Sequence, residues 1–273
     1  MTSDASPAET DDIRRYALAF DAMGVRVGVH SNSLAAIEAV RERWIPGWKA
    51  CEVANTDQTY LLHVGSARCL LHHNGERLAD VDTLDELVIE FVRWANIGIG
   101  EFSPDFVFIH SGAVSWNGAG LLLPGPSFCG KSTLVHTLVE RGAQYYSDDL
   151  ALIDADGYVH AYPRPLTLRL EAGEYRRIPA RDVGWSEDVP RMRVALVAIL
   201  SYRADATLAL DPCTPGSGAL ALLSHTLSAS AQTERAFDTI SRFAETTSFV
   251  RGERAEAGAA ADALIAKLEA LAP

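Results

Sequence analysis

The most specific chemistry in this sequence lies in one segment. Gly125-Pro126-Ser127-Phe128-Cys129-Gly130-Lys131-Ser132 fits the pattern GxxxxGK(S/T). Glycines let such a backbone wrap so that successive N–H groups point at phosphate oxygens. The N-terminus of the helix that follows adds a positive dipole end. Lys131 is expected to reach the β and γ phosphates, and Ser132 to give an oxygen to Mg²⁺, with Thr133 closing the set. The segment therefore predicts a site for a nucleoside triphosphate, ATP with Mg²⁺. Phe128 and Cys129 stand where small residues are usual. They make the loop tighter or partly apolar, unless Phe128 turns back onto the core.

Downstream, Asp148-Asp149 follow the apolar run QYYS. Two acids at a strand end can divide two tasks, one holding Mg²⁺ and one taking a proton from an acceptor hydroxyl. Side chains alternate along a strand, so both tasks from adjacent residues require a bend there. The alternative is a turn or cap role. His110 ends the run FVFIH, and a lone histidine is more often a core or surface residue than a catalytic one. Pro163-Arg164-Pro165 and Arg169 could offer guanidinium groups to a phosphate, or could be a proline-stiffened connection with surface arginines. His72-His73 have metal-like chemistry without a third ligand nearby and read as surface.

These residues need elements to hold them. IRRYALAF and GVRVGVH alternate as strands, and Ser33 precedes the amphipathic helical stretch LAAIEAVRERW. YLLHV and ARCLLHH form a strand pair with Asn74-Gly75 as its turn. Asp82 and Thr83 precede the helical stretch LDELVIEFVRWANIG. From Asp105, FVFIH, SGAVSW and GLLLPG read as consecutive strands of a buried sheet with a turn at Asn117-Gly118. A helix is expected from about Gly130 to Gly142, the latter as the residue after its end. QYYSDDLALI, YVHAYPRPLTLRL and VALVAIL supply further strands. The stretches 216–244 and 255–271 read as mostly helical. Strands alternating with helices indicate an α/β fold of mixed strand direction.

The segment from His110 to Asp149 resembles the catalytic core of HPr kinase/phosphorylase and its shorter relatives. That family carries a histidine at a strand end, a turn, a strand, the GxxxxGKS loop, a helix ending in Arg-Gly, and an Asp-Asp pair. Here these fall on His110, Asn117-Gly118, Gly125 to Ser132, Arg141-Gly142 and Asp148-Asp149, and the likeness extends to Arg169 through YPRPLTLR. The resemblance implies a P-loop mixed-sheet kinase core with a helical C-terminal segment, over 104–273. Before it come a small α/β module at 12–103 and a flexible tail at 1–11. It implies Asp149 as proton acceptor for a serine hydroxyl, His110 in the same site, and a homo-oligomer. A metal-binding glutamate in a glycine-rich stretch has no clear match, although Glu171 and Glu174 lie at a suitable distance. Thr133 stands where the bifunctional enzymes have an acid. Both departures argue against phosphorolysis and against HPr as acceptor. The short relatives resemble kinases of peptides in natural-product pathways, which points to a hydroxyl on a peptide, a protein or a small molecule.

Composition bounds the partners. The chain has 273 residues, 48% of them apolar, and a formal charge of −12, which argues against a nucleic-acid partner. No stretch approaches ~18 consecutive apolar residues, so no membrane span is expected. The start, MTSDASPAETDD, lacks the features of a secretory signal. Cys51, Cys69, Cys129 and Cys213 are scattered without a CxxC pair, which suits a reducing compartment, the cytoplasm. The leading expectation is a kinase. Its rivals are a non-catalytic ATP-binding regulatory module and an NTPase that drives a partner.

Overall fold

The computed structural model describes residues 14–126, 129–170 and 174–271. The tail at 1–11, Ser127, Phe128 and Glu171 lie outside the described residues. The chain divides into two compact units, Met1–Pro104 and Asp105–Pro273. Among the described residues no helix is long and apolar enough to cross a membrane.

In the first unit, β1 (Tyr16–Ala22) and β2 (Val25–Ser31) form a hairpin through Met23 and Gly24, both at positive φ. Helix α1 (Leu34–Glu42) follows, buried through Ala36, Ile37 and Val40, and then β3 (Lys49–Ala50). Strands β4 (Gln58–Val64), β5 (Cys69–His73) and β6 (Glu76–Val81) complete a sheet of order β3-β1-β2-β4-β5-β6. Helix α2 (Leu84–Phe102) opens on a capping box in which Thr83 and Glu86 satisfy each other's backbone N–H. Asn74-Gly75 differs from expectation: it joins β5 to β6, not β4 to β5. Strand β6, sequence ERLADV, hid from a hydrophobic pattern because it is a charged, largely exposed sheet edge.

The second unit opens on a single strand, β7 (Phe106–Trp116), where two shorter ones were expected. The turn at Asn117-Gly118 returns the chain as β8 (Ala119–Pro124), which leads to α3 (Lys131–Glu140). Strands β9 (Gln144–Ser147), β10 (Leu150–Asp154), β11 (Tyr158–His160), β12 (Leu166–Arg169) and β13 (Tyr175–Ile178) follow. Then come β14 (Met192–Tyr202), β15 (Asp211–Cys213), α4 (Pro215–Leu223), α5 (Thr233–Glu245), β16 (Ser248–Arg254) and α6 (Ala257–Leu271). The main sheet runs β11-β10-β7-β8-β14-β16-β15 with β9 also on β7, while β12 and β13 pair separately. It is mixed, since β14 is parallel to β8 and β16 and the other pairs are antiparallel. Strand β11 also pairs with β14, so the sheet curls back on itself.

Two apolar clusters hold this unit. Leu134, Val135 and Leu138 of α3 pack with Leu264 and Leu268 of α6 over Leu121, Leu123 and Leu196. Ile240 and Phe243 of α5 pack with Leu222 of α4 over Ile109, Leu122 and Val197. Burial of each such side chain stabilises by roughly 1.5–3 kcal/mol. That leaves β8 covered on both sides, and the loop it feeds begins from a fixed point. The stretches 216–244 and 255–271 are mostly helical, as expected; β16 fills the gap between them and α4 stops at Leu223.

Candidate functional site

The loop after β8 is shaped by glycine at two places. Gly130, the residue before α3, has φ +84°, and a Cβ there would lie 2.4 Å from Nη2 of Arg254. A Cβ on Gly125 would come within 2.8 Å of Cys129 Sγ. Helix α3 begins with no side-chain cap and no acid in its first turn. Its first N–H groups and dipole end are therefore left for an anion. The Lys131 side chain folds back over the loop, and Nζ donates to the carbonyls of Gly125 and Pro126, each at 2.8 Å. Burial lowers its pKa, opposed by the Cys129 thiol and the carboxylates of Asp149 and Asp148.

The bend required at the paired acids is present between β9 and β10. Ser147 Oγ accepts from the backbone N–H groups of Asp149 and Leu150, at 3.3 and 3.1 Å. Because the chain bends, Asp148 and Asp149 line one cavity of about 330 Å³. Asp148 is buried and accepts from the Thr167 N–H (3.1 Å) and the Ser132 hydroxyl, with the Tyr145 oxygen 3.4 Å away. Burial raises its pKa, Asp149 adds to the rise, and the Thr167 and Ser132 hydrogen bonds oppose it. Asp149 sits between His110, whose Nε2 is 3.0 Å from Oδ1, and Arg164, whose Nη1 is on Oδ2. Burial alone would raise the Asp149 pKa. The His110 hydrogen bond and the nearby Arg164 and Lys131 charges overcome that and hold it at about 2.

His110 is mid-strand, not at a strand end, and its backbone ties the site together. Its N–H donates to the His225 carbonyl (2.8 Å) and its carbonyl accepts from Gly125 N–H (3.3 Å). Arg164 is half-buried in the cavity, because its carbonyl accepts from Tyr145 Oη at 2.8 Å and its N–H donates to the Tyr162 carbonyl. The proline-flanked segment is thus stiff, but its arginine points inward. Thr167, Arg169 and Tyr175 complete one wall.

His110, Gly130, Lys131, Ser132, Thr133, Asp148 and Asp149 all line this cavity, and Gly125 and Pro126 supply the carbonyls that anchor Lys131. Glu174 is exposed and is not among the lining residues. His72 and His73 lie in the first unit and are half-buried. His73 Nδ1 is 3.1 Å from the Thr59 carbonyl and its ring stacks on Tyr60.

Two residues near the loop escaped sequence reasoning. Arg254, only 3% exposed, donates from Nη2 to the Gly130 carbonyl at 2.7 Å and so braces the peptide that opens α3. His225 lies near enough to His110 and Lys131 for both to depress its pKa, after burial itself. Nothing local marks either one; β16 reaches β8 only through β14.

Fold and site together define a mixed α/β protein whose glycine-lysine-serine loop, bare helix N-terminus and two carboxylates share one cavity. No protein-family model matches the chain, and no curated protein matches it. Among solved structures it is similar to the Hpr(Ser) kinase/phosphatase from Coxiella burnetii, at 15% identity and a TM-score of 0.33. The match covers 60% of this chain and 96% of that one. A likeness that distant assigns neither activity nor substrate.

The donors present near the loop are oxygens, the type that hard divalent cations take. Among the described residues no group of three or more His, Cys, Asp or Glu is placed to hold an ion alone. Ser132 and Asp148 offer a hydroxyl and a carboxylate within hydrogen-bonding reach of each other. That pair would fit a Mg²⁺ ion, which proteins commonly hold through one or two carboxylates while water and substrate phosphates fill its other positions.

Proposed function

We propose that the protein is an Mg·ATP-dependent phosphotransferase that moves the γ-phosphoryl group to a hydroxyl on a peptide, protein or small molecule. The observation that carries this reading is the second carboxylate. A module that only binds nucleotide needs the loop and an oxygen pair for Mg²⁺. It has no use for Asp149, held between His110 and Arg164 in the same cavity.

In this reading the N–H groups at the start of α3 hold phosphate oxygens, and Lys131 exchanges the Gly125 and Pro126 carbonyls for them. Mg²⁺, held by Ser132 and Asp148, supplies charge neutralisation on the phosphates when bound. Arg164 is shared between two anions, Asp149 and the transferring group. As it turns to the phosphoryl oxygens, Asp149 loses a cation and its basicity rises. Asp149 then takes the proton as the acceptor O–H bond breaks, the new O–P bond forms, and the bond to the ADP oxygen breaks. His110 orients the carboxylate. This is catalysis by positioning and charge, which is the larger part of phosphoryl transfer.

The test is ADP release from labelled ATP with and without hydroxyl acceptors, across serine and threonine peptides, glycerol and HPr. Label appearing on an acceptor, with ADP release that depends on it, is the expected result, and HPr is expected to remain unlabelled. Acceptor-independent ADP release would make the protein a hydrolase. Tight Mg·ATP binding with no turnover would leave a binding module.

A further inference from the structure

We infer that the protein also phosphorylates itself, on Thr167, and that the new phosphate closes the cavity to a further nucleotide. This rests on the phosphotransferase reading and adds an acceptor that the chain itself carries.

Among the described residues four side-chain hydroxyls line the cavity, those of Ser132, Thr133, Thr167 and Tyr175. An acceptor oxygen attacks the γ-phosphorus roughly in line with the leaving ADP oxygen, from the opposite side. Ser132 and Thr133 belong to α3, whose N-terminus holds the phosphates in this reading, so both stand on the nucleotide's own side. The Ser132 hydroxyl is also committed to Asp148. Tyr175 is 56% exposed, so packing does not fix its oxygen inside the cavity. Thr167 stands on a different wall, in β12, and the structure holds it there.

Two contacts fix that position. Leu166, the residue before it, is fully buried, and the Thr167 N–H donates to Asp148 Oδ2 at 3.1 Å. The hydroxyl oxygen is three bonds from that nitrogen, and so lies within about 7 Å of the Asp148 carboxylate. Arg164, three residues earlier, brings its guanidinium to Asp149. Base, cation and hydroxyl therefore come from two short segments tied to each other. The Thr167 hydroxyl donates to the Pro165 carbonyl at 3.3 Å, long for an O–H donor, so turning it to a carboxylate costs little.

The step balances as it does for an added acceptor. Asp149 takes the proton as the Thr167 O–H bond breaks, Oγ1 bonds to the γ-phosphorus, and the bond to the ADP oxygen breaks. An acceptor already inside the site needs no encounter. The product carries about −1.5 to −2 charge and three acceptor oxygens. Arg164, Lys131 and the bare start of α3 face the same cavity and can hold it where the γ-phosphate stood. An incoming nucleotide then meets like charge. The chain stops after a single turnover on itself.

The experiment incubates the full chain with labelled ATP and Mg²⁺ and no added acceptor. Intact mass is expected to rise by one phosphate, and peptide mapping to place it on Thr167. ADP release should halt at one equivalent per chain, unlike the continuous release of a hydrolase, at a rate per chain independent of concentration. Thr167→Ser should carry the label on serine. Thr167→Val, which keeps the N–H that Asp148 uses, should take up none. Calorimetry should find Mg·ATP affinity lowered at least roughly tenfold in the phosphorylated chain. Label on another residue, or none on the chain while an added hydroxyl is labelled, overturns the inference and leaves the phosphotransferase reading standing. A rate per chain that climbs with concentration makes the transfer one between chains and overturns the placement inside the cavity. Equal affinity before and after phosphorylation overturns the closure. Continuous ADP release with no label on anything overturns both readings, as does nucleotide bound without turnover.

Discussion

Among the described residues of the first unit the buried polar side chains are Ser31, Gln58, Asn96 and Ser103, all neutral, and ion pairs such as Arg26–Asp57 and Arg77–Asp80 lie at the surface. In the second unit Lys131, Asp148 and Arg254 are buried, and all three belong to the loop or its supports. An exposed ion pair is worth about 0–1 kcal/mol, whereas burying an ion costs several kcal/mol before its partners are counted. Both units use the same local device, an Asn-Gly turn with both residues at positive φ, at Asn74-Gly75 and Asn117-Gly118. The first turn feeds a charged sheet edge; the second feeds a buried strand that ends at the phosphate-type loop. The same turn chemistry therefore says nothing about function. Where charge is buried does.

That contrast is most exposed to failure at Asp149. Asp149→Asn is expected to bind Mg·ATP within about tenfold of the parent while transfer falls at least ~100-fold, the usual range for a lost acid–base group. Asp148→Asn, measured beside it by calorimetry, should instead weaken Mg·ATP binding. Exchanged phenotypes would swap the two roles, and full transfer by Asp149→Asn would remove that residue from the chemistry.

Next in size is Lys131→Ala. Losing a charge-assisted contact to phosphate costs on the order of 1.5–3 kcal/mol or more, roughly tenfold to a few hundredfold in Mg·ATP affinity. Unchanged affinity in the folded variant would break the assignment of the loop.

A pair of variants then separates the two units. Thr83→Ala removes the capping box of α2 and should lower unfolding free energy by about 0.5–2 kcal/mol, with Mg·ATP affinity untouched. Arg254→Met should differ in the second measurement. It strips the donors from the Gly130 and Ala255 carbonyls, so unfolding free energy falls by about 1–3 kcal/mol, and the unbraced Gly130 peptide also weakens Mg·ATP binding several-fold. Chemical denaturation and calorimetry on both variants decide the matter, and a shared phenotype would blur the contrast.

The smallest expected effect is in acid. Asp149 is held at about 2 against an ordinary 3.8. Its contribution to stability is therefore complete above about 4 and is lost as pH falls toward 2. Asp148 is shifted the other way, so its contribution is present only when it is protonated and is lost as pH rises through its folded pKa. Asp149→Asn should flatten the acid limb of thermal stability, and Asp148→Asn should steepen it. Limbs unchanged in both variants would mean that the cavity does not govern acid stability.

Much of the second unit was legible in the sequence because its signals are local. The apolar run before Gly125, the spacing of Gly130, Lys131 and Ser132, and the turn at Asn117-Gly118 each act within a few residues, and α3 ends as Gly142 suggests. Strands β6, β13, β15 and β16 were missed, since short or charged strands lack an apolar period. The reach of Arg164 was left open, because a proline-flanked arginine gives no direction from sequence alone.

By itself the sequence determined which residues could meet phosphate: a glycine loop, a lysine and a serine whose spacing serves only when a helix starts where α3 does. It also determined that Asp148 and Asp149 could share a site only across a bend. The tertiary structure decided the rest. Pairing of β9 and β10 with β7 placed His110 against Asp149, the order β8-β14-β16 carried Arg254 to Gly130, and the register of β12 with β13 gave one face to Arg169, Tyr175 and Arg177. Each of these depends on partners far apart in the chain. Backbone hydrogen bonding between strands fixes such neighbours, and local pattern cannot supply them.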